Sequence, residues 1–282
     1  MRVYPESALT QLEFDQIKDL LTAGCRTRYA QERSKDLRIH TAKPFIVTEL
    51  NRTREYKLIL GHQQYFPNDF HLDISREVKL LGIPGSLLSG EDWLLVRRLN
   101  ESAGTIFRWF DAERRLAFPY LAAVLQDSYH EKAITTRIDE VLDETGVVRD
   151  NASDVLQQIR LKLFKRRNEL RRMFEKVVQK LQKAGYSADI DESFSNGRRV
   201  VAVFAEHKRQ VKGILHGESD SRKTAFIEPE ETIDLNNEVY SLEQDEQKEI
   251  LRILRALTSE LSVYAPLLRS HLDKIGEYDF IR

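Results

Sequence analysis

The sequence predicts a mainly α-helical protein with a small antiparallel β subdomain carried between two long helices. Residues 197–238 form the one long stretch whose side chains alternate as in β-structure. A heptad-like apolar pattern precedes this stretch on a basic segment and follows it on an acidic segment. We therefore expect a helical core, an antiparallel pair of long helices and a β-rich tip on that pair.

The first 152 residues are expected to form the helical core domain. Amphipathic patterns predict helices over residues 12–21, 23–39, 48–60, 73–81, 93–110 and 136–142. Pro44 should interrupt the pattern that follows the second helix, because proline lacks the amide proton that a helix interior needs. Ser89 is followed by two acids within three residues, which is typical of a helix start. The aromatic residues Trp93, Phe107, Trp109 and Phe110 are expected in the core.

The second half of the chain predicts two long helices with apolar seams. Residues 153–185 should form the outgoing helix, capped by Ser153, ended by Gly185 and about 45 Å long. Its seam comprises Leu156, Ile159, Leu163, Leu170, Phe174, Val177 and Leu181, with a gap at Arg166 and Arg167. Residues 232–282 should form the returning helix. Its seam comprises Leu235, Val239, Leu242, Ile253, Leu257, Leu261, Tyr264 and Leu268, interrupted by Glu246 and Glu249.

Residues 186–231 should form the β-rich tip. Four short strands are expected at residues 188–194, 198–205, 211–217 and 224–228. Asn196-Gly197 is a strong hairpin signal, because a type I′ turn needs positive φ at both central residues. Phe226-Ile-Glu-Pro229 is interpreted as an apolar strand end that anchors the tip, with Pro229 preventing further strand pairing.

Composition and motifs exclude several classes of function. No apolar run is long enough to cross a bilayer, the first residues lack a signal-peptide pattern, and Cys25 is the single cysteine. These features favour a cytoplasmic protein. The sequence contains no Gly-Lys-Ser/Thr phosphate loop, no zinc-type histidine pair and no nucleophile elbow. The chain alone is therefore not expected to be an enzyme, and we assign it no catalytic residue, cofactor or metal.

Charge is distributed unevenly, although the net charge is −1. Residues 160–183 hold ten Lys or Arg and two Glu, a net charge of +8. Residues 228–249 hold nine Asp or Glu and one Lys, a net charge of −8. The two blocks either pair with each other or contact something outside the chain.

Seven cations of the tip are the candidate nucleic-acid-binding residues: Arg198, Arg199, Lys208, Arg209, Lys212, Arg222 and Lys223. Cations at exposed turns can neutralise phosphates without reading bases, which gives sequence-independent and salt-sensitive binding. The alternative is that β-turns are simply polar and that Lys and Arg prevent edge-to-edge strand pairing.

Four segments occur in the order of a known family: Asn196-Gly-Arg-Arg-Val200, Gly213-Ile-Leu-His216, Glu218-Ser-Asp-Ser-Arg-Lys-Thr-Ala-Phe-Ile-Glu-Pro229 and Leu235-Asn-Asn-Glu238. Together with Leu12-Glu-Phe-Asp15 and residues 141–153, they resemble the N-terminal half of the Smr-containing MutS paralogues, relatives of the DNA mismatch-repair protein MutS. One position departs from the family pattern. Arg222 stands where the family favours glycine, which makes that turn more basic and argues against a purely flexible turn.

The resemblance implies that the helical body is a MutS core domain, that the long helices are its lever and that the β tip is its clamp. Intact relatives continue into an ABC-type ATPase domain, which uses ATP and magnesium, and an Smr nuclease-like domain, and they are expected to be homodimers. The chain is therefore expected to be a DNA-binding core–lever–clamp fragment of a MutS-like ATPase. Branched or duplex DNA, or a stalled ribosome and its RNA, is the implied ligand, in recombination suppression, DNA repair or ribosome rescue.

A second hypothesis is a non-catalytic coiled-coil arm that acts as a protein-interaction module. The charge blocks of the two long helices would then be satisfied internally, and the tip would dock on a protein. Neither hypothesis decides whether the chain alone is a monomer.

Overall fold

The computed structural model describes residues 7–282, except for the side chains of residues 189–192. The protein is mostly helical and has a small antiparallel sheet, which confirms the predicted fold class at that level. The chain divides into two compact units, one formed by the residues up to Arg149 together with Leu254–Arg282, the other by Asp150–Ile253. Within the described residues, none of the helices has the length and apolar character needed to cross a membrane.

The first unit is helical. Up to Arg149 its helices are α1 (Ala8–Gln11), α2 (Phe14–Gly24), α3 (Arg28–Lys35), α4 (Lys43–Gly61), α5 (Ser75–Leu81), α6 (Gly90–Trp109), α7 (Ala112–Ala117), α8 (Pro119–Ala122) and α9 (Lys132–Val141), and its last helix is α12 (Ala265–Ile281). Ser89 caps α6 as predicted: its hydroxyl accepts from the amide of Asp92, whose carboxylate accepts from the amide of Ser89. Trp93 and Phe110 are buried in the core, whereas Phe107 and Trp109 are half-buried.

Two predicted helix boundaries in this unit are wrong. Helix α4 begins at Lys43 and includes Pro44 in its first turn. Backbone amides in the first turn have no carbonyl partner within the helix, so the missing amide proton of proline costs no hydrogen bond there. The helix predicted over residues 23–39 is confined to α3, because Thr27 caps it by accepting from the amide of Ala30. The carboxylate of Asp279 accepts from the backbone amides of Arg26 and Thr27, which fixes the entry to α3.

The second unit is built on α10 (Asp154–Lys183) and the first part of α11 (Ile233–Leu261). The predicted cap is confirmed, since the Ser153 hydroxyl accepts from the amide of Leu156 at 3.0 Å. The predicted seam of α10 is buried along its length, except for the half-buried Ile159. Leu163 and Leu170 pack in one cluster with Val239 of α11, which confirms that the two seams meet.

Ion pairs lie where the apolar seams are interrupted. Three arginines of α10 bind three glutamates of α11, and the pairs are Arg160–Glu246 at 2.7 Å, Arg166–Glu238 at 2.6 Å and Arg167–Glu243 at 2.6 Å. Glu249 is buried and accepts from the Ser153 hydroxyl at 2.7 Å. Partly exposed pairs of this kind contribute about 0–1 kcal/mol each, so they fix the register of the antiparallel helices more than their stability.

The predicted returning helix is not continuous. Helix α11 ends at Leu261, a 3₁₀ turn follows over Ser262–Tyr264, and a separate helix α12 covers Ala265–Ile281. Pro266 lies in the first turn of α12, where proline is tolerated, but it could not donate the backbone hydrogen bond that a continuous helix needs at this position. The prediction of one seam running through Tyr264 was therefore wrong beyond Leu261.

The sheet consists of β1 (Ser187–Ser195), β2 (Arg198–Phe204), β3 (Gly213–Glu218) and β4 (Thr224–Pro229), in the order β1-β2-β4-β3 with antiparallel neighbours. The hairpin prediction is confirmed, since Asn196 and Gly197 both have positive φ. The apolar face of the sheet packs on Phe174, Val177 and Leu181 of α10. The sheet thus lies against the last turns of this helix rather than beyond its end.

We expect Ser153→Ala to lower the free energy of unfolding by about 1–2 kcal/mol, because it removes a helix cap and a donor to the buried Glu249. Urea unfolding followed by circular dichroism measures this loss. Ser241→Ala is the matched control, since Ser241 is exposed within α11. An equal effect of the two substitutions would contradict the role given to Ser153.

Candidate nucleic-acid interface

Six of the seven predicted cations lie at two opposite ends of the sheet. At one end Phe204 pairs with Thr224, and the amide of Ala205 donates to the carbonyl of Lys223 at 2.9 Å. At the other end Gly213 pairs with Pro229. The second end carries Arg198, Arg199 and Lys212, and the first end carries Lys208, Arg222 and Lys223. Arg209 lies in the connection from β2 to β3.

Arg198 and Arg199 are held by contacts inside the unit. The Arg198 guanidinium donates to the Glu228 carboxylate at 2.7 Å and to the Asn237 side-chain carbonyl at 2.6 Å. The Arg199 guanidinium lies 5.5 Å from the ring centroids of both Phe174 and Phe194, which is within cation–π range. Both side chains therefore hold the start of β2 in place.

Lys208 is also paired. Its ammonium donates to the Glu218 carboxylate at 2.5 Å, which joins the turn after β2 to the end of β3. This hydrogen bond is the main reason that the pKa of Glu218 lies below its usual value. The charge of Lys208 is thus partly neutralised within the protein.

The remaining four cations are exposed, and within the described part of the chain their side chains form no ion pair or hydrogen bond: Arg209, Lys212, Arg222 and Lys223. We call these four residues the tip cations. Arg222 has a φ of 55°, a left-handed conformation that glycine adopts at no steric cost. The turn keeps this geometry through a hydrogen bond from the Arg222 amide to the Ser219 carbonyl at 2.7 Å.

A buried polar cluster lies at the start of β2, and it was not predicted. Glu228 is completely buried, and its carboxylate accepts from Arg198 at 2.7 Å and from the Asn236 amide group at 3.0 Å. The ring nitrogen Nε2 of His216 lies 2.8 Å from the same carboxylate. Asn236 also exchanges two hydrogen bonds of 3.3 Å with the backbone of Arg199. We call Glu228, Arg198, His216 and Asn236 the Glu228 cluster.

The sequence did contain a signal for this cluster. All four of its residues come from the four segments that carry the family resemblance, one from each segment. The interpretation of Phe226-Ile-Glu-Pro229 as an apolar strand end does not account for the buried carboxylate of Glu228. The structure shows that these segments meet because their polar side chains satisfy one another in the interior. The motif residues of the cluster are thus engaged in packing, not aimed at solvent.

The described side chains of this unit could bind a ligand through charge and surface shape. Among the side chains that the structure describes, no three of the types His, Cys, Asp and Glu are arranged to hold a metal ion. The tip cations are exposed groups around the sheet that could bind a ligand. Lysine and arginine at exposed turns bind anionic oxygen atoms such as those of phosphate.

Glu228→Ala should destabilise the second unit by about 3 kcal/mol, because it leaves the Arg198 charge without its partner in a largely dry environment. Glu228→Gln, which keeps an acceptor for Asn236, should have a smaller effect. Hydrogen exchange of the β2 and β4 amides measures both losses. Glu230→Ala is the control, since Glu230 is exposed two residues away. Unchanged exchange in Glu228→Ala would show that the cluster does not hold the sheet.

No protein-family model matches the chain. It is 28% identical over 271 residues to Endonuclease MutS2 of Lactococcus lactis subsp. lactis, covering 96% of this chain and 34% of that protein. The protein of the same name from Aquifex aeolicus is 26% identical over 275 residues, covering 98% and 36%, and that of Thermomicrobium roseum is 30% identical over 256 residues, covering 90% and 32%. The chain therefore spans about a third of the length of the curated relatives it matches, and nearly all of it is related in sequence to proteins named Endonuclease MutS2.

Proposed function

We propose that the chain is the core, lever and clamp part of a MutS-like protein and that its sheet holds duplex or branched DNA without reading sequence. In this proposal residues 1–152 are the core, α10 and α11 are the lever, and the sheet is the clamp. The observation that carries it is the set of four tip cations, exposed and unpaired among the described side chains. The relationship to proteins named Endonuclease MutS2 supports DNA as the ligand.

The position of the tip cations fits contact with a phosphate backbone. Lys212 precedes β3, and Arg222 and Lys223 follow it in the turn to β4. Strand β3 is an edge strand, and its six residues span about 20 Å at 3.4 Å per residue. Charges at both ends of an exposed edge can neutralise phosphates that lie more than half a duplex turn apart, since one turn is about 34 Å.

The whole protein, of which this chain would be about a third, is proposed to add the parts that the family resemblance implies. These are an ABC-type ATPase domain that binds ATP and magnesium, an Smr nuclease-like domain and a homodimer interface. ATP-driven closure of the clamp would then retain the DNA in recombination suppression or repair. A stalled ribosome presents the same phosphate chemistry through its RNA.

One observation favours the second candidate, a protein-interaction module. Ile214 and Leu215 on the edge strand β3 are 49% and 50% exposed, and Phe194 is 64% exposed. An exposed edge with apolar side chains can accept a strand from another protein. In this case the apolar residues of β3, and not the tip cations, would dominate binding.

We expect the chain to bind a DNA duplex with a dissociation constant of about 10⁻⁴–10⁻⁶ M at physiological salt, as is usual for non-specific binding. A tip variant combines Arg209→Gln, Lys212→Gln, Arg222→Gly and Lys223→Gln. It should lower the slope of log affinity against log salt by about 3–4, because up to four phosphate contacts are lost. Fluorescence anisotropy across a salt series, with duplex and branched DNA, measures the slope.

The control variant removes the same charge from the first unit through Lys35→Gln, Lys57→Gln, Lys79→Gln and Lys132→Gln. These four lysines are exposed, and within the described side chains they form no ion pair. Salt-independent binding by the unmodified chain, or an equal slope for the tip and control variants, would refute the clamp assignment. Capture of a protein partner that depends on Ile214 and Leu215, without binding of nucleic acid, would favour the second candidate.

A further inference from the structure

Seven of the ten basic residues of α10 take no part in its pairing with α11. Five of them are exposed, and their side chains have no ion pair or hydrogen bond with any side chain that the structure describes: Lys162, Lys165, Arg172, Lys176 and Lys183. The ion pairs between α10 and α11 therefore neutralise only some of the ten Lys and Arg of residues 160–183. The unpaired part remains available to an external ligand.

Four of these residues lie in one line along the helix. At 100° per residue, Lys165, Arg172, Lys176 and Lys183 fall within about 40° of one another around the axis of α10. The buried residues of the seam, such as Leu163 and Leu170, lie on the opposite side of the helix. We call these four cations the outer stripe. It extends about 27 Å at 1.5 Å per residue.

The acidic residues of α10 do not neutralise the outer stripe. Glu169 binds Arg166 at 2.5 Å, and Glu175 binds Arg171 at 3.1 Å. Three glutamates of α11 are engaged on the seam side of α10, where they bind Arg160, Arg166 and Arg167. The stripe thus keeps four positive charges on a rigid helix.

The surroundings of the stripe are polar. Within about 60° of its line, the other residues between positions 165 and 183 are Asn168, Glu169, Gln179 and Lys180. Protein interfaces usually have apolar anchors at their centre and are depleted in lysine. Between positions 165 and 183 this line of Lys and Arg has no apolar residue within about 60°, although the exposed Leu161 lies one turn before it. Such a line is better suited to the phosphates of a nucleic acid than to an apolar protein surface.

We propose that the outer stripe binds the sugar-phosphate backbone of a nucleic-acid duplex, as a second surface distinct from the tip cations. The class of ligand rests on the proposed function. The stripe itself rests on the exposure, alignment and unpaired state of its four cations. Steps of about 10, 6 and 10 Å between successive cations let each contact a different phosphate along a backbone. Such contacts position the ligand and read no base.

A stripe variant tests this proposal with Lys165→Gln, Arg172→Gln, Lys176→Gln and Lys183→Gln, since glutamine preserves helix propensity. We expect duplex affinity at physiological salt to fall about tenfold or more, and the salt slope to fall by about 3–4. Circular dichroism checks that α10 is intact. A second variant, Lys165→Arg with Lys176→Arg and Lys183→Arg, keeps the charges and should bind as the unmodified chain does.

The stripe, tip and control variants are all measured on a DNA duplex and an RNA duplex of the same sequence. The duplex that the unmodified chain binds more tightly identifies the class of nucleic acid. A stripe variant that binds like the control variant, while the tip variant is weakened, would overturn the stripe and leave the proposed function standing. A weakened stripe variant beside an unchanged tip variant would support the stripe and overturn the clamp. Equal affinity for polyglutamate of matched charge would overturn the preference for nucleic acid.

Discussion

The buried carboxylate of Glu228 is the constraint on which the arrangement of the second unit depends. A charge removed from water must be compensated locally, and here the partners come from β2, β3 and the first turn of α11. Strand β3 approaches closely at the same place, since a Cβ on Gly213 would lie 2.0 Å from the Glu228 carbonyl oxygen. One polar centre therefore joins this end of the sheet to the start of α11, and of the tip cations Lys212 lies at this end.

The basic residues of this unit have three different roles, and their positions separate them. On the seam side of α10 they bind glutamates of α11 and set the register of the two helices. At the start of β2 they are held by a buried carboxylate and by aromatic rings. On the outer face of α10 and at two turns of the sheet they are exposed and unpaired among the described side chains. Only this third group can bind a polyanion without first breaking contacts inside the protein.

The spacing of apolar residues and the local cap and turn residues predicted much of the second unit. The seam of α10, the cap at Ser153 and the hairpin at Asn196-Gly197 all follow from local rules, and they were found as predicted. The role of Pro44 was misjudged and the break at Pro266 was not predicted, because a proline ends a helix or begins one depending on the residues on either side of it. The pairing of Arg198 with Glu228, thirty residues apart, could not be predicted, since the spacing of two charges in sequence does not reveal a shared interior. The sequence therefore did not separate the candidate cations that have partners inside the protein from those that have none among the described side chains.

The pairing of a basic helix with an acidic one also gives the second unit an electric dipole across its width. The field of such a dipole exerts a torque on any approaching polyanion, attracting it to the α10 side and repelling it from the α11 side. At physiological ionic strength this torque acts over about 8 Å, the Debye length. Orientation would thus be selected during the encounter, before any individual contact forms. Added salt should randomise the angle of approach at lower concentrations than those that disrupt the final complex.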